Sequence, residues 1–178
     1  MNNKKIIETV LLACDEPISM STIKRIIDSI DDKKVIEIID SINDDYKKND
    51  KGIYIDSVSN GYQVRTLPEF HQYIQIAKKN NLNSKLSKAA FEVLSIISFK
   101  QPISKSDIES IRGVDCSGII RKLLEKKIIK IQGRDKKIGK ALLYSTTSLF
   151  LETFGLNNIN DLPKISEIEE IIKKNEIK

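Results

Sequence analysis

Apolar residues recur every three or four positions along the first part of the chain, and this spacing predicts three helices. Their apolar positions are Ile6, Ile7, Val10, Leu11 and Cys14, then Ile23, Ile26, Ile27 and Ile30, then Val35, Ile36, Ile39, Ile42 and Tyr46. Ser19 or Ser21 is placed to cap the second helix, and Asp31 or Asp32 the third, because short oxygen side chains satisfy the free amides of a helix start.

The apolar pattern then changes from helical spacing to alternation. Residues 53–58 and 62–65 alternate as strands do, and Ser59, Asn60 and Gly61 stand between them. Asn-Gly favours a tight hairpin turn, since both residues tolerate positive φ. Pro68 begins another short helix through Ile76. Three helices followed by a hairpin is the order of a winged helix.

A ten-residue phrase occurs twice, at 17–26 and again at 102–111. Six positions match at an offset of 85: Pro, Ile, Ser, Ser, Ile and Ile. The second half then repeats the order of the first: a helix over Ala90 to Ile97, a helix after Ser104, a helix over Ile119 to Leu124, and strands at 128–131 and 142–144. Repetition at this period indicates two related modules.

The fold class predicted from this repeat is α+β and mainly helical, with two tandem winged-helix domains. The polar segment 78–84 lacks periodicity and places the boundary between them. The predicted organisation is therefore an N-terminal winged-helix domain at 1–80, a C-terminal winged-helix domain at 81–160, and a flexible tail at 161–178.

Charge divides the two modules. Residues 1–80 carry 12 basic and 13 acidic side chains, whereas residues 81–160 carry 14 basic and 7 acidic ones. Nine of those basic side chains lie within residues 121–140, against two acidic ones. An excess of this kind indicates an anionic partner for the second half or a solvated basic face, and both remain open.

Catalytic chemistry finds little support in the residues. The chain has one histidine, His71, and two cysteines, Cys14 and Cys116, without metal-type spacing. It has no Gly-rich phosphate loop. We expect a protein that is not an enzyme, holds no cofactor or metal, contains no membrane span and works in the cytoplasm.

Winged helices commonly place their third helix in the major groove of DNA. In the first module that helix carries Glu37, Asp40, Asp44 and Asp45, which repel phosphates. In the second module the basic strand-to-strand region is a candidate for non-specific contact with the DNA backbone. Its candidate residues are Lys127, Arg134, Lys136, Lys137 and Lys140.

The second module closely resembles the segregation and condensation protein B family. The resemblance runs through several separated motifs in order: residues 86–90, 100–103, 111–115, 133–134, 143–147, 150–151, 154–156 and 161–163. The first module resembles the more divergent N-terminal domain of that family. Cys116, in place of a small hydroxyl residue, and Lys140-Ala141, in place of Arg-Pro, depart from the family pattern.

The resemblance implies a homodimer, joined through the N-terminal module, that binds the kleisin ScpA and, through ScpA, an SMC ATPase. Its expected role is a non-catalytic scaffold for chromosome condensation and partition in cell division, associated with the nucleoid. The kleisin-binding residues expected in the second module are Ile111, Arg112, Gly113, Val114, Arg121 and Tyr144. Gly113 is expected to end the second helix of this module through a left-handed turn, with Arg112 projecting outward. Arg112, Arg121 and Tyr144 are the expected polar and aromatic anchors, since such residue types are enriched at binding hot spots. A winged-helix transcriptional regulator is the alternative.

Overall fold

The structure is a computed structural model that describes residues 2–77, 86–137 and 139–163. The elements of the first half are α1 (Asn3–Ala13), β1 (Ile18–Ser19), α2 (Met20–Ile26), α3 (Asp32–Lys48), β2 (Ile53–Val58), β3 (Gly61–Thr66) and, after a 3-10 turn at Pro68–Phe70, α4 (His71–Ala77). Those of the second half are α5 (Lys88–Lys100), β4 (Ile103–Ser104), α6 (Lys105–Arg112), α7 (Ser117–Glu125), β5 (Ile129–Arg134), β6 (Leu142–Thr146), α8 (Ser148–Phe154) and a 3-10 turn at Ile159–Asp161.

The repeated phrase folds the same way in both halves, as a two-residue strand that turns directly into a helix. The hydroxyl of Ser19 accepts a hydrogen bond from the amide of Thr22 at 3.2 Å, and the hydroxyl of Ser104 accepts one from Asp107 at 3.2 Å. Of the two predicted caps for the second helix, Ser19 is therefore the right one. Asp31 caps α3 by accepting from the amide of Lys34 at 2.6 Å.

Each half contains a three-stranded antiparallel sheet, in the orders β1-β3-β2 and β4-β6-β5. The short strands β1 and β4 were not predicted. The turn between β2 and β3 has positive φ at Ser59 and Asn60, one residue earlier than the Asn-Gly pattern predicts. Gly61 instead begins β3, where a Cβ atom would lie 2.8 Å from the carbonyl oxygen of Ile18. Its small size lets β1 pair with β3.

Two hydrophobic clusters occupy the two halves. The first is centred on Ile7, Leu11 and Ile39, and the second on Val93, Ile97 and Leu123. The mixed and mainly helical class is therefore confirmed. Three residues at the apolar positions predicted for the first three helices are instead exposed: Cys14, Ile26 and Ile36. Phe91 of α5 is 46% exposed, although its ring meets that of Phe154 edge-on with the centroids 6.2 Å apart.

The β2–β3 hairpin of the first half contacts the end of the second half. The amide of Ser59 donates to the carbonyl of Leu156 at 2.8 Å, and Gln63 donates to the carboxylate of Glu152 at 2.9 Å. Ser57 donates to the side chain of Asn157 at 3.0 Å. The predicted boundary at 78–84 and the tail beyond residue 163 lie outside the described residues.

Candidate functional site

A groove of about 530 Å³ lies between α5 and the C-terminal end of α6. Its lining residues are Lys88, Phe91, Glu92, Ser95, Ile96, Ile111 and Arg112. Phe91 and Ile111 supply apolar surface that is 46% and 50% exposed. Val114, 55% exposed, follows two residues after the end of α6. Apolar side chains left half open beside charged ones are the kind of surface at which a partner helix docks.

Local sequence fixes this end of α6. Gly113 has φ of 73°, and its amide donates to the carbonyl of Glu109 at 2.8 Å. Only glycine adopts such a left-handed conformation without strain, and it commonly ends helices in this way. The prediction that Gly113 closes α6 is confirmed. Because the helix stops there, Ile111 and Val114 stay uncovered.

Arg112 lies across the groove rather than projecting outward as predicted. Its guanidinium donates to the carboxylate of Glu92 at 2.9 Å and to the sulfur of Cys116 at 3.4 Å. The side chain is only 14% exposed. The hydrogen bonds to Cys116 and Glu92 raise the pKa of Arg112 above its ordinary value. Arg112 therefore ties α6 to α5 and holds one rim of the groove.

The loop after Gly113 is ordered by a small polar network. Glu109 accepts a hydrogen bond from the amide of Cys116 at 2.8 Å. Lys105 lies 3.5 Å from the carboxylates of both Glu109 and Asp115. The hydroxyl of Ser117 donates to Asp115 at 2.6 Å and lowers the pKa of that carboxyl. These contacts, made by residues before and after Val114 in the chain, thus fix the position of Val114.

Two of the expected kleisin-binding residues lie elsewhere. Tyr144 is 7% exposed and belongs to the core of the second half, where its strand position pairs with Ile103 and Ile131. The expectation that Tyr144 is a surface anchor is wrong, because its side chain packs in the hydrophobic cluster of this half. Arg121 is on the exposed face of α7 and pairs with Glu125 at 3.8 Å, outside the residues that line the groove.

The structure brings together most of the basic candidates. Arg134, Lys136, Lys137 and Lys140 lie at the turn between β5 and β6, and Arg134 donates to the carbonyl of Lys140 at 3.2 Å. Lys127 does not belong to this group. It lines a separate cleft with Glu16, Ser59 and Glu152, where the two halves meet.

Sequence reasoning missed the α5 side of the groove. Phe91, Glu92 and Ile96 lie within the helix predicted over Ala90 to Ile97, and none of them was given a partner role. The signal present in the sequence was an apolar residue next to an acidic one on α5, Phe91 and Glu92, together with the basic Arg112 at the end of α6. That signal depends on the two helices being adjacent, which helical spacing alone does not establish.

Within the parts of the chain that the structure describes, no cluster of three His, Cys, Asp or Glu side chains is placed to hold a metal. The same residues include no helix with the length and apolar character needed to cross a membrane.

The structure thus combines a repeated helix-and-hairpin fold with a half-open apolar groove, which is the kind of surface at which partner helices dock. A comparison with known families identifies the particular group. Residues 5–165 match the model of the family described as segregation and condensation complex subunit ScpB. The chain belongs to this family.

One curated relative and two solved structures are among the proteins to which the chain is similar. A segregation and condensation protein B of Alkaliphilus metalliredigens is 39% identical over 98% of this chain and 92% of its own. The crystal structure of ScpB from Mycobacterium tuberculosis is 27% identical over 86% of this chain and 95% of that one, with a TM-score of 0.42. A structure described as a dimer of ScpB N-terminal domain complexed with ScpA peptide is 23% identical over 42% of this chain and 91% of that one, with a TM-score of 0.38.

Proposed function

We propose that this protein is a non-catalytic scaffold subunit of an SMC–ScpA–ScpB complex that acts in chromosome condensation and partition during cell division. In this proposal each half is a winged-helix domain, at 1–80 and 81–160, and the protein works in the cytoplasm at the nucleoid. It binds the kleisin ScpA as a homodimer and reaches the SMC ATPase through ScpA. Family membership over residues 5–165 is the main support.

The groove between α5 and α6 supports kleisin binding by the second half. Phe91, Ile96 and Ile111 form an apolar floor, and Lys88, Glu92 and Arg112 stand around it. An amphipathic helix lays its apolar face into a groove of this kind, and charged rim residues select its orientation. Ile111, Arg112, Gly113 and Val114 stay in the proposed site, whereas Arg121 and Tyr144 leave it.

Calorimetric titration of the full chain with a central ScpA fragment from the same genome tests this proposal. We expect one saturable binding event that is lost when Phe91 and Ile111 are both changed to aspartate. A double change of Ile131 and Leu149 to aspartate is the matched control, because both residues are about as exposed and lie outside the groove. No binding by the wild-type chain would refute the function. Binding that survives the Phe91 and Ile111 change would move the site elsewhere.

The homodimer is proposed to form through the first half. Among the described residues, no side chain of helix α4 is fully buried, and its Tyr73 and Ile76 are 62% and 75% exposed. The first half is also close to electrically neutral. A two-fold contact between copies would cover such a helix, and low net charge reduces repulsion between them.

Sedimentation equilibrium of the full chain tests the dimer. We expect a dimer for the wild type and a monomer for Ile76→Asp, because a buried charge without a partner strongly disfavours association. Ile131→Asp, an equally drastic change in the second half, should remain dimeric. A monomeric wild type would refute the homodimer, and dissociation by Ile131→Asp alone would place the contact in the second half.

A further inference from the structure

The β5–β6 hairpin carries a cluster of cations that kleisin binding in the groove does not use. Arg134, Lys136, Lys137 and Lys140 lie at the turn, and Lys130 lies on β5 opposite Ser145, four residues before Arg134. We call these five residues the basic tip. We propose that the basic tip binds the phosphate backbone of double-stranded DNA without reading its sequence. This goes beyond the proposed scaffold function, which requires no direct contact with DNA.

Hydrogen bonds hold the basic tip in a defined shape. The amide of Asp135 donates to the carbonyl of Ala141 at 2.8 Å, and the amide of Lys140 donates to the carbonyl of Lys137 at 3.1 Å. The guanidinium of Arg134 donates to the carbonyl of Lys140 at 3.2 Å. Arg134 and Lys140 are thereby kept at the same end of the hairpin. A preorganised cluster loses less conformational entropy when it binds than a mobile one does.

The basic tip is open to solvent and lacks compensating anions. Strand β5 is at the edge of its sheet, and every side chain from Lys130 to Arg134 is exposed. None of the five cations forms an ion pair within the described residues. The one carboxylate in residues 130–141, Asp135, accepts a hydrogen bond from the amide of Lys137 at 3.1 Å. Five cations against one anion are free to neutralise phosphates and release the counterions bound to them.

The residues around the basic tip favour duplex over single-stranded nucleic acid. Residues 126–141 contain no aromatic side chain, and single strands are bound largely by stacking bases on aromatic rings. The neighbouring helix α7 exposes Arg121, but that guanidinium faces Glu125 at 3.8 Å. Base-specific readout needs several free polar side chains on the groove-facing helix. The basic tip is therefore expected to contact the DNA backbone without sequence preference.

Membership of a family of segregation and condensation complex subunits indicates which polyanion the basic tip would meet. Such a complex acts on chromosomes, where duplex DNA is the abundant polyanion. An acidic polypeptide presents charges on flexible side chains, whereas the duplex presents one charge about every 1.7 Å along a rigid axis. The basic tip is held in a fixed shape by its hydrogen bonds, so it suits the rigid duplex better than a flexible polypeptide.

Fluorescence anisotropy of the full chain with two labelled 30-bp duplexes of unrelated sequence tests the proposal. The test variant changes Lys130, Lys136 and Lys137 to glutamine. The control variant makes the same change in net charge on the first half, at Lys5, Lys33 and Lys47, which are exposed and form none of the ion pairs found.

We expect the wild type to bind both duplexes with similar affinity at about 50 mM salt. The test variant should lose at least tenfold in affinity, and the slope of log K against log salt should become shallower by about 2.7, at about 0.9 per phosphate contact. The control variant should keep the wild-type slope. All three proteins should bind the ScpA fragment equally, which separates a failure here from a failure of the scaffold function.

Several results would overturn the proposal. An equal loss in the control variant would show that net charge alone attracts DNA. Tighter binding of a single-stranded probe, or displacement of the duplex by polyglutamate at equal charge concentration, would identify another ligand class. A strong preference for one duplex would favour a sequence-specific regulator. No measurable binding by the wild type at about 50 mM salt would leave the basic tip a solvated surface.

Discussion

Replacing Ile111 with alanine is expected to weaken binding of the ScpA fragment about three- to tenfold. Ile111 is 50% exposed at the edge of the groove, so half of its side chain is free to be covered by a partner. Full burial of an isoleucine side chain contributes about 1.5–3 kcal/mol, and the exposed half therefore about 0.8–1.5 kcal/mol. At about 1.4 kcal/mol per factor of ten, this gives the expected change in Kd.

The chain supplies a closely matched control for this change. Ile131 is 47% exposed, belongs to the same half and lies on β5, outside the residues that line the groove. Ile131→Ala removes the same atoms from a site with the same exposure. We expect this variant to bind the ScpA fragment as the wild type does.

Isothermal titration calorimetry of the two variants and the wild type is the assay. Urea unfolding measured alongside should show a similar, modest loss of stability in both variants, because each isoleucine is only half buried. Equal affinity of Ile111→Ala and the wild type would refute the groove as the binding site. A loss confined to Ile131→Ala would instead place the partner on the β5–β6 hairpin.

Two further predictions concern the fold that supports the site. Gly61→Ala should destabilise the protein by about 1–3 kcal/mol in urea unfolding, because the added Cβ would lie 2.8 Å from a backbone oxygen of β1. Gly133→Ala is the control: its added Cβ would meet nothing within 4 Å, so stability should change by less than about 0.5 kcal/mol. Lys4→Met should raise the pKa of Asp45 in a carboxyl NMR titration, because a hydrogen bond and the charge of Lys4 lower it. The stabilisation that Asp45 gains from Lys4 is present above about pH 4 and is lost on acidification. The two proteins should therefore converge in stability at low pH, and an unshifted pKa of Asp45 in Lys4→Met would contradict this reasoning.

The repeat shows how far local sequence determines structure. Ser19 and Ser104 both follow an isoleucine, and both cap a helix through the same hydrogen bond three residues ahead. Capping needs only neighbours in the chain, so the pattern predicts it reliably. Strands β1 and β4 are different, because two residues have no detectable alternation. They became strands by pairing with β3 and β6, which lie far along the chain.

The candidate site was predicted in part. Gly113 was predicted to end α6, since a glycine after a helical pattern is a local signal. Arg112 was predicted to point outward and instead pairs with Glu92, twenty residues earlier in the chain. Tyr144 was expected to be an aromatic anchor, but its side chain packs in the hydrophobic cluster of the second half and is 7% exposed. These errors have one cause: the exposure of a side chain depends on which elements pack around it.

By itself, the sequence determined the two related modules, the order of their three helices and hairpin strands, a pair of candidate caps for each of the second and third helices, and the family to which the chain belongs. Each of these depends on residues close together in the chain or on motifs in order. Tertiary structure alone decided that α5 and the end of α6 form a groove and that Lys127 lines a cleft away from the basic tip. It also decided that the small Gly61 leaves room for β1 to pair with β3. These features depend on distances between segments that packing brings together, and periodicity along a chain carries no information about such distances.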